Sequence, residues 1–131
     1  MCKRILLIDD DEDEQFFFTE ALKEIKAPVK LFFAMGSKEG LQMAKFILPD
    51  IVFIDINMPM QNGLECLELL RSSKETEKLS AVIYSTGVDD DLYRNAMIKG
   101  AVACIKKQNN IHDLATILKN LLFYHESQAL S

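Results

Sequence analysis

The chain is predicted to form an α/β domain, a parallel five-stranded sheet with helices on both faces. Apolar runs of strand length alternate with amphipathic segments of helix length along the 131 residues, and parallel neighbouring strands need crossover connections of that kind. Four of the runs end in acids, a hydroxyl or amines. Because right-handed crossovers put all strand ends on one side, these polar groups should converge at the edge where such sheets bind ligands.

The first strand is predicted over residues 3–8, a continuous apolar run typical of a strand buried on both faces. Asp11 or Asp13 can cap the first helix, and Pro28 marks the point by which that helix must stop. Its apolar residues recur at helical spacing: Phe17, Phe18, Ala21, Leu22 and Ile25.

The second strand is predicted over residues 29–33. Ser37, before Leu41, Ala44 and Lys45, is expected to open the second helix, which should end before Pro49. Residues 51–54 form the third predicted strand, again a continuous apolar run.

Pro59, Asn62 and Gly63 shape the next loop, and the third helix carries an apolar stripe that includes Leu64, Leu67 and Leu70. The fourth strand is predicted over residues 81–85. Gly87 and the acids at 89–91 can start a fourth helix that runs to about Lys99 and stops at Gly100.

A short fifth strand over residues 103–106 precedes the last helix, whose apolar residues make it strongly amphipathic: Ile111, Leu114, Ile117, Leu118, Leu121 and Leu122. The chain is long enough for one ordinary core and too short for two. We expect one domain over residues 1–124 and a short C-terminal tail over residues 125–131.

Composition excludes several classes of function. The formal net charge is −5 and no basic stripe is present, so direct nucleic-acid binding is not expected. The first apolar stretch stops at Asp9, too soon for a membrane span or a signal-peptide core. Three scattered cysteines suit reduced thiols in a cytoplasmic protein, and with His112 and His125 they form no recognisable zinc-ligand set.

The strand endings suggest phosphoryl chemistry. Bringing Asp9, Asp10 and Asp55 together is unfavourable unless a cation compensates, and oxygen-only ligands suit Mg²⁺. An aspartate can accept a phosphoryl group covalently, and Asp55 fits that role. The Ser85 hydroxyl and the Lys107 ammonium would complete the constellation electrostatically. The remaining acids at 11–14 are interpreted as a solvated helix start.

Three motifs resemble those of response-regulator receiver domains of two-component signalling: the run 5–10 ending in Asp9-Asp10, the run from Asp55 to Pro59, and the step from Gly100-Ala101 to Lys107. The match spans nearly the whole chain, with the motifs in the right order and spacing. The resemblance implies a doubly wound, flavodoxin-like sheet of strand order 2-1-3-4-5 and a stand-alone domain.

By the same resemblance, a histidine kinase or phosphotransfer protein would phosphorylate Asp55 in a Mg²⁺-dependent reaction, and the signal would pass to a downstream protein through contacts. Asp10 would bind Mg²⁺ directly, Asp9 largely through water, and the main-chain carbonyl of Asn57 would be a further ligand. Ser85 takes the family's hydroxyl position in preference to Thr86, and Lys107 is preferred over Lys106. Such a domain is not an enzyme beyond slow self-dephosphorylation.

Two positions depart from the family pattern. Cys104 stands where receivers usually have a switching aromatic residue, and Gln108 stands where they usually have proline. We predict a trans Lys107–Gln108 peptide bond, because a cis bond before a residue other than proline costs about 2.5–4 kcal/mol.

Two other classes of protein agree less well with these residues. In an aspartate-nucleophile phosphatase, an acid two residues after the nucleophile normally serves as general acid and base, a role that Asn57 cannot fill. A receiver-like adaptor without phosphorylation is compatible with Cys104 and Gln108, but it leaves the acids and the lysine unexplained.

Overall fold

The structure, a computed structural model, describes the main chain of residues 2–124 and the side chains of residues 2–123. The strands are β1 (Lys3–Asp9), β2 (Val29–Met35), β3 (Ile51–Asp55), β4 (Ser80–Ser85) and β5 (Ala103–Lys106). The helices are α1 (Glu12–Glu24), α2 (Ser37–Ile47), α3 (Gly63–Arg71), α4 (Asp90–Ile98) and α5 (Ile111–Lys119), and α5 continues into a π-helical turn, Asn120–Tyr124. The alternating α/β prediction is confirmed. The predicted tail and His125 lie outside the described residues.

All five strands are parallel, in the order β2-β1-β3-β4-β5. The implied order is therefore confirmed. The chain moves outward from β1 to β2, then returns to the other side of β1 with β3, which makes the space between β1 and β3 the topological switch point. Ile8 pairs with Ile54 in the register, so Asp9 and Asp55 follow side by side at the carboxyl edge.

The sheet separates two apolar layers because successive side chains of a strand point to opposite faces. Leu6, Ile8, Val52 and Ile54 pack on the side of α2, α3 and α4. Alternate strand residues pack against α1 and α5, where Phe18, Phe53 and Tyr84 form an aromatic cluster. Their ring centroids lie 5.2 to 6.4 Å apart in edge-to-face arrangements, a favoured geometry for aromatic pairs.

Helix ends agree with the sequence signals in most places. Asp11 caps α1 by accepting the N–H of Asp13, and Asn62 and Glu65 form a capping box at α3. At α2, Gly36 occupies the cap position with φ of 90°, a left-handed conformation that glycine tolerates, while Ser37 is the first helical residue. The strongly apolar end of the last helix, predicted to reach Leu122, belongs to the π-helical turn.

The backbone and the thiols agree with two other expectations. No cis peptide bond occurs among residues 2–124, so the predicted trans bond between Lys107 and Gln108 is confirmed. Cys2, Cys66 and Cys104 are all free thiols. Within the described residues, every helix is too short or too polar to cross a membrane.

Candidate functional site

Three predicted acids meet at the carboxyl edge of β1 and β3. Asp9 is fully buried, Asp55 is 4% exposed, and Asp10 is exposed. One carboxylate oxygen from each lies within 4.8 Å of the others. The β1–β3 register brings Asp9 and Asp55 together, and the turn into α1 adds Asp10. The sequence prediction that these acids converge is therefore confirmed.

Asp9 is held by the backbone that follows it. Its Oδ1 accepts the N–H groups of Asp10 and Asp11 at 2.8 and 3.1 Å. Burial, with the negative charge of Asp55 next, raises the pKa of Asp9 to about 7, although Lys107 and the two N–H groups oppose that rise. Its Oδ2 is buried and has no hydrogen-bond partner among the described residues. A nearby cation would therefore stabilise this buried carboxylate.

Lys107 supplies one cation to this edge. Its Nζ lies 3.2 Å from Asp55 Oδ1 and 3.7 Å from Asp9 Oδ2, and its side chain is only 17% exposed. Burial alone would lower the pKa of Lys107, but the surrounding carboxylates outweigh it and raise the pKa. Lys106, by contrast, is exposed. The structure thus places the Lys107 ammonium, and not that of its neighbour, beside the acids.

Ser85 ends β4 at the same edge and is 3% exposed, whereas Thr86 is exposed. The Ser85 hydroxyl donates to the carbonyl of Gly87 at 2.8 Å and accepts the N–H of the same residue at 3.3 Å. The main-chain carbonyl of Ser85 accepts the Lys107 N–H at 2.7 Å. The carbonyl of Ser85 therefore holds the start of the loop that carries Lys107, whereas the Ser85 hydroxyl is hydrogen-bonded within a local turn.

The loop after β3 is fixed by close backbone packing. The Ile56 N–H donates to Tyr84, and the Gly63 N–H donates to Ile56. A Cβ atom at Gly63 would lie 2.5 Å from the carbonyl oxygen of Asp55, so only glycine fits there. Asn57 is exposed in this loop, and the role of its carbonyl as a metal ligand stays a prediction.

Glu14 is the site residue that sequence reasoning missed. The sequence predicts a solvated position at the helix start, but the Glu14 side chain is only 18% exposed and its Oε1 lies 3.7 Å from Lys107 Nζ. Burial raises the pKa of Glu14, and the charge of Lys107 opposes the rise. The signal was its position four residues before Phe18, because residues four apart share one face of a helix.

Cys104 and Gln108, the two departures from the family pattern, differ in their structural surroundings. Cys104 packs on the α2, α3 and α4 side of the sheet, where burial raises the pKa of its thiol. Tyr84 packs on the opposite side, so it cannot take the place of the missing aromatic residue. The Gln108 side chain donates to the Lys106 carbonyl at 2.7 Å, which ties the trans backbone after β5.

The donor set fits a hard divalent cation. The three acids offer carboxylate oxygens, and Asp9 Oδ2 is buried without a hydrogen-bond partner among the residues described. Mg²⁺ prefers such oxygens and keeps several waters. The exposed position of Asp10 leaves room for those waters. Asp9, Asp10 and Asp55 are thus the residues that could hold a metal ion.

Fold and site together define a phospho-accepting signalling domain. Residues 5–119 match the model of the response regulator receiver domain, and the chain belongs to that family. It is 24% identical over 123 residues to the probable C4-dicarboxylate response regulator DctR of Bacillus subtilis, covering 94% of this chain and 54% of DctR. It is 24% identical over 118 residues to hybrid signal transduction histidine kinase D of Dictyostelium discoideum, covering 90% of this chain and 7% of that kinase.

Solved structures show the same fold. The chemotaxis protein CheY4 of Vibrio cholerae has a TM-score of 0.80 at 20% identity, with 93% of this chain and 100% of CheY4 covered. A receiver domain protein of Methanospirillum hungatei has a TM-score of 0.78 at 24% identity, with 98% and 99% covered. The Mn²⁺-bound form of response regulator Rcp1 has a TM-score of 0.74 at 20% identity, with 93% and 94% covered.

Proposed function

We propose that Asp55 is the phospho-acceptor of this receiver domain and that a histidine kinase or phosphotransfer protein is the donor. The observation that carries the proposal is the pairing of Asp55 Oδ1 with Lys107 Nζ at 3.2 Å, on the strand edge that also holds Asp9 and Asp10. A nearly buried aspartate with a fixed cation beside it is arranged for nucleophilic attack on phosphorus.

The transfer is a simple exchange of bonds. A carboxylate oxygen of Asp55 attacks the phosphorus of a phosphohistidine and forms an acyl phosphate. The nitrogen–phosphorus bond breaks, and its electron pair returns to the donor imidazole. Phosphoryl transfer depends mainly on positioning and on stabilisation of oxygen charge. Lys107 provides that charge on one side of the acceptor.

Asp9, Asp10 and Asp55 would hold Mg²⁺, with the Asn57 carbonyl as the further ligand. When bound, Mg²⁺ would screen these acids from one another and from the incoming phosphoryl oxygens. Asp9 Oδ2, which has no hydrogen-bond partner among the described residues, and the Mn²⁺-bound form of Rcp1 support a divalent cation at this position. The Ser85 hydroxyl would then exchange its bond to Gly87 for one to the phosphoryl group.

The domain would signal by protein contact. Phosphorylation adds charge at the edge where the loops after β3, β4 and β5 meet, and such a local change can bias a bistable loop arrangement. A downstream protein would bind one arrangement better than the other. In this cycle the domain is modified and restored, and it turns over no separate substrate.

Intact mass measurement tests the proposal directly. Wild type, Asp55→Asn and Asp13→Asn are incubated with phosphoramidate, with and without Mg²⁺. Asp13 is exposed on the first turn of α1 and provides the same chemical change away from the edge. We expect the mass of one phosphoryl group on wild type and Asp13→Asn only when Mg²⁺ is present, and none on Asp55→Asn. A wild type that takes up no phosphoryl group would identify an adaptor instead.

A further inference from the structure

Glu14 differs from the other acids on the first turn of α1. Glu12 and Asp13 are exposed, whereas Glu14 is turned inward. The cause lies one turn further along the helix, since Phe18 is fully buried against the aromatic cluster. The helix face that buries Phe18 also carries Glu14 toward the carboxyl edge of the sheet.

There the Glu14 carboxylate lies beside the ammonium of Lys107. Its Oε1 lies 3.7 Å from Lys107 Nζ, while its buried Oε2 has no hydrogen-bond partner among the described residues. The same Nζ lies 3.2 Å from Asp55 Oδ1 and 5.4 Å from the centre of the Tyr84 ring. Glu14 and the acceptor thus share one ammonium.

We infer that Glu14 is a positioning residue for Lys107. In the unphosphorylated domain Glu14 shares the Lys107 ammonium with Asp55, and it opposes the transfer of that ammonium to the phosphoryl group. The inference rests on the proposed function of Asp55 and adds a residue that sets how strongly the phosphoryl group is held. Glu14 competes with the phosphoryl oxygens for the ammonium of Lys107.

Electrostatic repulsion sets the direction in which Glu14 should change the affinity for a phosphoryl mimic. A phosphoryl group on Asp55 brings more negative charge to Lys107 than the carboxylate did, and Glu14 keeps a like charge close to that ammonium. In this half-buried position the repulsion is screened less than at an exposed surface. Removing the charge of Glu14 while keeping its shape should therefore strengthen binding of a phosphoryl mimic.

The test uses beryllofluoride with Mg²⁺ as the mimic, on the full chain, with affinity measured by fluorine NMR. Glu14→Gln should bind it roughly tenfold more tightly than wild type, from a like charge at several ångströms under partial screening. Glu12→Gln is the matched control, because it removes the same charge from an exposed position on the same turn. It should stay close to wild type.

A second readout follows Lys107 itself. The nitrogen signal of its ammonium, assigned by its loss in Lys107→Arg, should shift in Glu14→Gln without any mimic and stay in place in Glu12→Gln. Glu14→Asp keeps the charge but withdraws it by one methylene, so it should bind the mimic with an affinity between those of wild type and Glu14→Gln. A purely structural role of Glu14 would not produce this order.

The outcomes separate the two proposals. Unchanged or weakened mimic binding in Glu14→Gln, or equal tightening in Glu12→Gln, would overturn the role of Glu14 while wild-type binding still supports Asp55 as acceptor. Wild type that binds the mimic no better than Asp55→Asn would overturn the proposed function, and this inference with it.

Discussion

Replacing Asp9 with asparagine should stabilise the metal-free protein, and more at alkaline than at acidic pH. Asp9 is fully buried and its pKa is about 7 in the folded domain. In the unfolded chain the pKa of an aspartate is about 3.9. Between these values the folded protein binds more protons at Asp9 than the unfolded chain does, so this residue makes stability fall as pH rises from about 4 to about 7.

The size of the effect follows from the two pKa values. Ionising Asp9 in the folded protein costs about 4 kcal/mol above pH 7, and roughly 2–3 kcal/mol of that cost develops between pH 5 and pH 8. Asparagine keeps an oxygen that can accept the two backbone N–H groups, so the variant avoids the cost and retains that anchor. The gain in stability over wild type should be larger at pH 8 than at pH 5 by roughly the same 2–3 kcal/mol.

Urea unfolding with a chelator present, at both pH values, measures this difference. Asp13→Asn is the control, since its exposed carboxylate is solvated in the folded and unfolded chain alike, and its effect should not differ between the two pH values. Added Mg²⁺ should remove most of the advantage of Asp9→Asn, because the cation favours the ionised carboxylate. A gain that is equal at both pH values, or larger at pH 5, would refute the reasoning.

Three further expectations concern the same edge. Gly63→Ala should lower the free energy of unfolding in urea by about 1–3 kcal/mol, because the new Cβ would lie 2.5 Å from a backbone oxygen. Gly87→Ala is the control, since a Cβ there meets open space. Equal losses of stability in the two variants would contradict the packing argument. Asp10→Ala should abolish Mg²⁺ binding in calorimetry, and an unchanged Mg²⁺ affinity would contradict the proposed metal site. Beryllofluoride with Mg²⁺ should alter the amide hydrogen-exchange rates of the loops after the third and fourth strands more than those of residues 89–106. The reason is that Cys104 is too small to act as the aromatic switch. Comparable changes in both regions would show that the switch survives.

The order of elements and the polar strand endings could be predicted from the sequence. Continuous apolar runs alternate with amphipathic stretches, and that pattern leaves little choice but a parallel sheet with crossover helices. Once the strands are parallel, Asp9, Asp10, Asp55, Ser85 and Lys107 must gather at one edge. These positions depend on which residues end a strand or directly follow it, whereas the preference for Lys107 over Lys106 came from the resemblance to receiver domains.

Other features depend on the direction in which each side chain points, which is set by packing across the fold. Burial of Phe18 turns Glu14 into the site although three neighbouring acids stay in water. The alternation of β4 and β5 puts Tyr84 and Cys104 on opposite faces of the sheet. The chain therefore determines by itself which groups reach the edge, whereas only the packed sheet and helices decide which of them share Lys107, because a contact between distant residues exists only after both apolar layers are buried.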